Sequence, residues 1–191
     1  MRRFNFAAHL FILVVIAARA QTLPKPIEVR DVHGANVKPM EGGSRKATCL
    51  LFISTDCPIS NKYAPEFGRI VKQYSPKGVV FYVVYTDAEG KPANAAKHWK
   101  DFAYPCPGLF DPKHQLVKKA GATVTPESAV FDSKGSLVYR GRINDLYMDF
   151  GKPRYAPTVH DLKRSLDAVL AGKPVPIKTT KVIGCTIYNP P

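Results

Sequence analysis

Two stretches of the chain are apolar almost without interruption, residues 47–54 (ATCLLFIS) and residues 79–85 (VVFYVVY). Both suit strands covered on each face of a sheet, and the second is rich in β-branched and aromatic residues. Between them Tyr63, Phe67, Ile70, Val71 and Tyr74 recur at helical spacing, which predicts an amphipathic helix over 60–74. Residues 92–102 predict a second helix with Pro92 near its start, 109–110 a short third strand, and 115–120 a brief helix ended by Gly121. Residues 128–131 and 136–142 flank the turn Asp132-Ser133-Lys134-Gly135 as a hairpin, and 160–170 form a last helix closed by Gly172. Ahead of all these, residues 27–32 and Val37 flank His33-Gly34-Ala35-Asn36 as a short hairpin. The order is hairpin, βαβ, short helix, hairpin, helix. Right-handed crossover then predicts one layered α/β domain, a single sheet with helices on both faces. Residues 173–191 carry Pro174, Pro176, Pro190 and Pro191 with no helical period, so the tail is expected to run over the surface.

The first twenty residues stand outside this pattern. Arg2 and Arg3 precede an apolar run over 10–18, and Ala18-Arg19-Ala20 follows before Gln21, the layout of a secretory signal peptide. The run is about half of the ~20 residues a membrane-spanning helix requires, which favours a cleaved signal over a retained anchor. The first cysteine is Cys49, so no lipid-bearing cysteine follows the small residues. The expected organisation is a signal peptide over 1–20, one α/β domain over 21–172 and a proline-containing tail over 173–191. The expected location is outside the cytoplasm, periplasmic or secreted.

The formal net charge is +13, and Arg2, Arg3 and Arg19 account for three of it, leaving +10. The remaining Lys and Arg are spread singly, with no basic run interleaved with aromatics to follow a phosphate backbone. The charge therefore reads as a solvated surface, and nucleic acid is not an expected partner. His33, His98, His114 and His160 share no metal-pair spacing with one another, so no metal and no other cofactor is expected.

Export would place Cys49, Cys57, Cys106 and Cys185 where disulfides persist. Four cysteines allow three pairings, and spacing alone does not choose among them. They are too few to scaffold a domain of this size and are left free for chemistry. Cys57, in Asp56-Cys57-Pro58-Ile59-Ser60, falls between a buried strand and a helix, where free N–H groups and the helix dipole favour a thiolate. Cysteines that only pack usually lie inside elements, whereas this one follows polar Thr55 and Asp56. Cys49 lies inside a buried strand and reads as inert core. Cys106 is clamped between Pro105 and Pro107. Cys185 sits in Ile183-Gly184-Cys185-Thr186-Ile187, an apolar patch of a polar tail, as either a staple or a mobile resolving thiol.

These residues resemble the thioredoxin superfamily from about residue 27 to 172. Cys57-Pro58-Ile59-Ser60 stands where that family has Cys-x-x-Cys, Pro65 lies eight residues past the cysteine like the family's helix-kinking proline, and Val124-Thr125-Pro126-Glu127 resembles its cis-proline segment. The leading hairpin, Asp111-Pro112 and Thr125-Pro126-Glu127 are most similar to the redoxin branch. The resemblance implies a three-layer α/β/α fold around a central mixed sheet with an N-terminal β-hairpin. It also implies that Pro126 is cis and faces Cys57, with Thr125 offering backbone groups to a bound chain.

The departures bear on function. Ser60 replaces the second cysteine, Leu51 takes the position of a buried proton-moving acid, and Asp56 replaces an aromatic and is expected to raise the thiol's pKa. Peroxiredoxins place Pro seven and Thr or Ser three residues before their cysteine; Ser54 meets the second condition and Leu50 fails the first. The expected site is Cys57, Ser60, Thr125 and Pro126, with Cys185 or Cys106 as the resolving thiol and Asp56 and Arg142 as groups that tune the thiolate. Cys185 is favoured, because at least 13 residues separate it from the last predicted helix and ~3.3 Å per extended residue lets that segment span the domain. Three functions fit: a thiol-disulfide oxidoreductase acting on protein or small-molecule thiols and disulfides, a thiol peroxidase acting on peroxide, or a binding module without turnover. None requires a membrane anchor once the signal is removed.

Overall fold

The leading hairpin consists of β1 (Val29–Asp31) and β2 (Asn36–Val37), joined through Gly34 at φ +92°. The two apolar runs form β3 (Ala47–Ile53) and β4 (Val79–Tyr85), connected by helix α1 (Pro58–Tyr74), which contains Pro65, and a short 3-10 turn. Helix α2 (Pro92–Asp101), strand β5 (Gly108–Phe110) and helix α3 (Gln115–Ala120) follow. Next come β6 (Val124–Thr125), β7 (Glu127–Asp132) and β8 (Leu137–Gly141), then a small exposed hairpin of β9 (Tyr147–Asp149) and β10 (Lys152–Pro153). Helix α4 (Asp161–Leu170) and strand β11 (Cys185–Thr186) complete the order. This computed structural model describes residues 26–87 and 89–188. The expected signal peptide and Pro190 and Pro191 lie outside the described residues.

The main sheet has seven strands in the order β2-β1-β5-β4-β3-β7-β8. β4 runs parallel to β3 and β5, while β7 pairs antiparallel with β3 and β8 with β7, so the sheet is mixed. Alternation along β3 explains why its sequence is apolar throughout. Cys49, Leu51 and Ile53 pack on one face with Phe67 and Ile70 of α1, Ala95 of α2 and Leu162 and Leu166 of α4. Leu50 and Phe52 pack on the other with Leu116 and Val117 of α3 and with Ile187 of the tail. Each such side chain, fully buried, contributes roughly 1.5–3 kcal/mol, and all seven β3 residues are buried. The result is the three-layer α/β/α thioredoxin-like fold.

Two differences from the sequence pattern matter for the site. Helix α1 begins at Pro58, ahead of the apolar period, because the fixed φ of proline suits the first helical position and its missing N–H has no partner to lose there. The tail is bound rather than simply laid over the surface. Val175 and Ile187 are buried, Arg140 N–H donates to the Lys178 carbonyl (2.9 Å), Thr180 N–H donates to the Arg140 carbonyl (3.2 Å), and β11 pairs with β6. Isolated apolar residues among Lys and Pro carry no period, and a two-residue strand has none to show. Among the described residues no helix is long and apolar enough to cross a membrane.

Candidate functional site

The site forms at the carboxyl end of β3, where the chain turns into α1. Cys57 is the N-cap residue, in extended geometry (φ −83°, ψ 108°), and its carbonyl accepts the first helical bond from Asn61 N–H (3.1 Å). The preceding turn is held from the end of β4: Asp87 accepts from the Ser54 hydroxyl (2.5 Å) and from Thr55 N–H (3.1 Å). Asn61 donates to the Thr55 carbonyl (3.4 Å), while its amide oxygen meets His98 Nε2 (2.8 Å), whose Nδ1 meets the Tyr85 hydroxyl (3.1 Å). Burial lowers the pKa of His98 despite Asp87, Asp101 and Asp56, so the ring is neutral near pH 7. A neutral ring satisfies the chain when Tyr85 O–H donates to Nδ1 and Nε2–H donates to Asn61.

The second wall is the segment before Pro126. The Thr125–Pro126 peptide is cis. Cys57 S–H donates to the Thr125 carbonyl (3.2 Å), which brings the two segments into direct contact. Glu127 shapes this segment from below, accepting from Thr123 N–H (2.8 Å) and Val124 N–H (3.4 Å). Its other oxygen lies 3.3 Å from Arg140 Nε, and Arg140 Nη1 donates to the Gly121 carbonyl.

The third wall is β11. It runs antiparallel to β6 with Cys185 opposite Thr125, and the Thr125 hydroxyl donates to the Cys185 carbonyl (3.4 Å). The Cys185 thiol is thereby within hydrogen-bonding reach of the Cys57 sulfur. All four cysteines are free thiols.

Cys57 is 1% exposed, and burial pushes its pKa up. Hydrogen bonding outweighs burial and takes the pKa below the ordinary thiol value: Cys185 S–H, the Ser60 hydroxyl and N–H, and the Thr125 hydroxyl all favour the thiolate. The Thr125 carbonyl bond is open only to the protonated thiol and works against them. Ser60 Oγ is fully buried and has no hydrogen bond of regular geometry, so it is a hydroxyl in reserve for the charged sulfur. Cys185 is pushed up to about 12, first by burial and then by its hydrogen bond to Cys57 and the charge there. Cys57 is therefore the first of the two thiols to lose its proton.

The remaining expected groups fall elsewhere. Asp56 is exposed and bonded within its own turn, and since the Cys57 pKa lies below the ordinary value, Asp56 does not set it. Arg142, expected near the thiolate, is instead committed to Asp161 of α4 (2.7 Å), because β8 ends on the side where that helix begins. Cys106 is in the core; Pro105 packs near Gly68 of α1, eleven residues past Cys57 and so about 16 Å along the helix. Burial pushes Cys106 up to about 12, and Cys49 up as well. Sequence reasoning missed Asp87, Asn61 and His98. Asp87 lay in view, since a polar residue just past a parallel strand stands at the edge where α/β sheets place their sites. Asn61 and His98 gave no signal beyond helix positions.

A mixed sheet flanked by helices, with a cis-proline against a cysteine at a helix start, defines a thioredoxin-fold protein. The sequence profile of the Redoxin family matches residues 20–147, and the chain belongs to that family. An uncharacterized conserved protein from Geobacillus kaustophilus has a similar crystal structure, at 31% identity and TM-score 0.74, over 87% of this chain and 90% of that one. A hypothetical protein from Sinorhizobium meliloti 1021 is similar at 26% identity and TM-score 0.72, over 84% and 89%. A secreted Mycobacterium tuberculosis disulfide oxidoreductase homologous to E. coli DsbE shares the fold, at 15% identity and TM-score 0.52, over 77% and 96%. No curated protein sequence matches the chain.

Proposed function

We propose that this is an exported thiol-disulfide oxidoreductase in which Cys57 is the nucleophile and Cys185 the resolving thiol. The observation that carries the reading is the meeting of these two sulfurs beside cis-Pro126, with the first pKa lowered and the second raised. The Cys57 thiolate attacks one sulfur of a disulfide R–S–S–R′, forming Cys57–S–S–R and releasing R′–S⁻, which takes a proton from water. Cys57 then carries no charge, and one cause of the high Cys185 pKa is gone. Cys185 loses its proton to solvent and attacks the Cys57 sulfur, giving the Cys57–Cys185 disulfide and releasing R–S⁻. Two electrons have passed from the protein dithiol to the substrate, and an external thiol reductant restores the pair. Pro58 and Ser60 fix the helix start and Thr125-Pro126 positions the substrate sulfur. The resolving cysteine that Ser60 cannot supply comes from the tail.

Export rests on Arg2-Arg3, the apolar run over 10–18 and Ala18-Arg19-Ala20. The partners are thiols and disulfides of proteins or small molecules. Peroxide is the less favoured oxidant, because the Ser54 hydroxyl that the peroxidase pattern requires is engaged by Asp87. The test is turnover of a protein disulfide with a thiol reductant in excess. Wild type should reduce insulin-type disulfides catalytically, Cys57→Ser should not, and Cys185→Ser, mixed with the substrate without the reductant, should accumulate as a mixed disulfide. Consumption of hydrogen peroxide, with a dimedone-trapped sulfenic acid on Cys57 and no insulin reduction, would replace this reading by the peroxidase.

A further inference from the structure

β11 does more than deliver Cys185. Its ladder places Cys185 opposite Thr125 and Thr186 opposite Val124, and Ile187 N–H extends it to the Thr123 carbonyl (2.9 Å). The backbone edge leading to Pro126 is thus taken by an extended segment with a cysteine against the nucleophile. Gly184 is fitted to that seat: a Cβ there would run into the Thr125 carbonyl oxygen, so any side chain lifts the strand. Ile187 packs into the core with Leu50 and Phe52. The tether behind the strand is held by side-chain packing of Ile183 against the core rather than by its backbone. The chain is fixed at Thr180, through Arg140 and the Tyr139 hydroxyl (3.0 Å), and among the described residues no backbone hydrogen bond holds residues 181–184. Four extended residues reach about 13 Å, enough to swing β11 clear.

We propose that residues 184–188 are a tethered pseudosubstrate. The edge of β6 is a docking site for an extended polypeptide that presents a disulfide-bonded cysteine opposite Thr125, and the resting protein fills it with its own tail. The inference rests on Cys57 being the nucleophile. Strand addition uses main-chain groups that every extended chain carries, so a foreign segment can make the bonds that β11 makes. The tethered occupant competes at an effective concentration in the millimolar range, which a polypeptide at micromolar concentration does not overcome until the strand lifts. A small disulfide requires only the sulfur, whereas a polypeptide requires the whole edge.

The test removes the resolving thiol so that only the blocking strand is read. In a Cys185→Ser background, mixed-disulfide formation on Cys57 is followed by intact mass with two oxidants: 2-hydroxyethyl disulfide, and an extended peptide whose cysteine is disulfide-bonded to 2-mercaptoethanol. In each case Cys57 thiolate joins one sulfur and the other leaves as a thiolate. Adding Gly184→Val should raise the peptide rate relative to the small-disulfide rate at least tenfold, and an excess of synthetic peptide 182–188 bearing Cys185→Ser should reverse the gain. Ile187→Asp should act in the same direction and serves if Gly184→Val does not fold. An unchanged ratio in a folded variant overturns the pseudosubstrate and leaves the nucleophile in place. If Cys57 reacts with neither oxidant, the functional reading falls and this inference with it.

Discussion

Burial raises the pKa of a thiol, as it does at Cys49 and Cys106, yet Cys57 goes the other way at 1% exposure because donors from three elements converge on its sulfur. Of these Ser60 is the most separable, since its hydroxyl makes no other hydrogen bond. A net hydrogen bond is worth about 0.5–1.5 kcal/mol. Ser60→Ala should therefore slow alkylation of Cys57 at neutral pH roughly threefold to tenfold and move the midpoint of its rate-against-pH curve upward; an unmoved midpoint would remove Ser60 from the site. The place of Cys57 at a strand-to-helix junction was legible in the sequence as a local pattern, and the cis Thr125–Pro126 peptide was legible only through the resemblance that the Thr-Pro-Glu segment carries. The sign of the Cys57 shift was not. The nearest charge in sequence, Asp56, pointed to a raised pKa, whereas the groups that lower it are Cys185, 128 residues away, Ser60 on the next turn and Thr125, 68 residues away.

At the scale of elements, the segment over 121–126 has little structure of its own and is shaped by Glu127 and Arg140. One buried carboxylate takes two backbone N–H groups and faces a guanidinium that reaches back to Gly121. Hydrogen bonds to a charged group contribute about 1.5–3 kcal/mol. Glu127→Gln keeps the shape and loses the charge, so it should lower unfolding free energy by an amount in that range, measured by urea denaturation, and slow the reaction of Cys57 with disulfides. A variant as stable and as fast as wild type would show that β6 holds its form without Glu127. The long elements were legible because β3 and β4 have continuous apolar runs and α1 and α4 have apolar stripes. The short ones, β6, β9, β10 and β11, have two or three residues each, too few for any period.

For the whole molecule, stability in acid is set in part by Asp145, which joins the loop after β8 to the approach to α4. Burial would raise its pKa, but the Thr158 hydroxyl (2.6 Å), Val159 N–H (2.8 Å), Thr158 N–H (2.7 Å) and Arg154 bring it down to about 2. The unfolded carboxyl titrates near 3.9, so between these values the unfolded chain binds more protons. The contribution of Asp145 is thus complete above about pH 4 and is lost as pH falls toward 2. Asp145→Asn should be less stable than wild type at pH 7, with a gap that narrows steadily from pH 4 to pH 2; a gap independent of pH would contradict the assignment.

The tail's role was only half legible in the sequence. Its length allowed Cys185 to reach Cys57, but the strand pairing that seats it depends on a backbone edge formed by residues some 60 positions earlier. The claim on which the rest depends is that these two cysteines form one redox pair. Non-reducing peptide mapping of the full-length protein after mild oxidation tests it most directly. The expected result is a peptide linking Cys57 to Cys185, with Cys49 and Cys106 still alkylatable once the protein is denatured. A Cys185 that remains fully alkylatable while Cys57 pairs with Cys106, or with nothing, would contradict it.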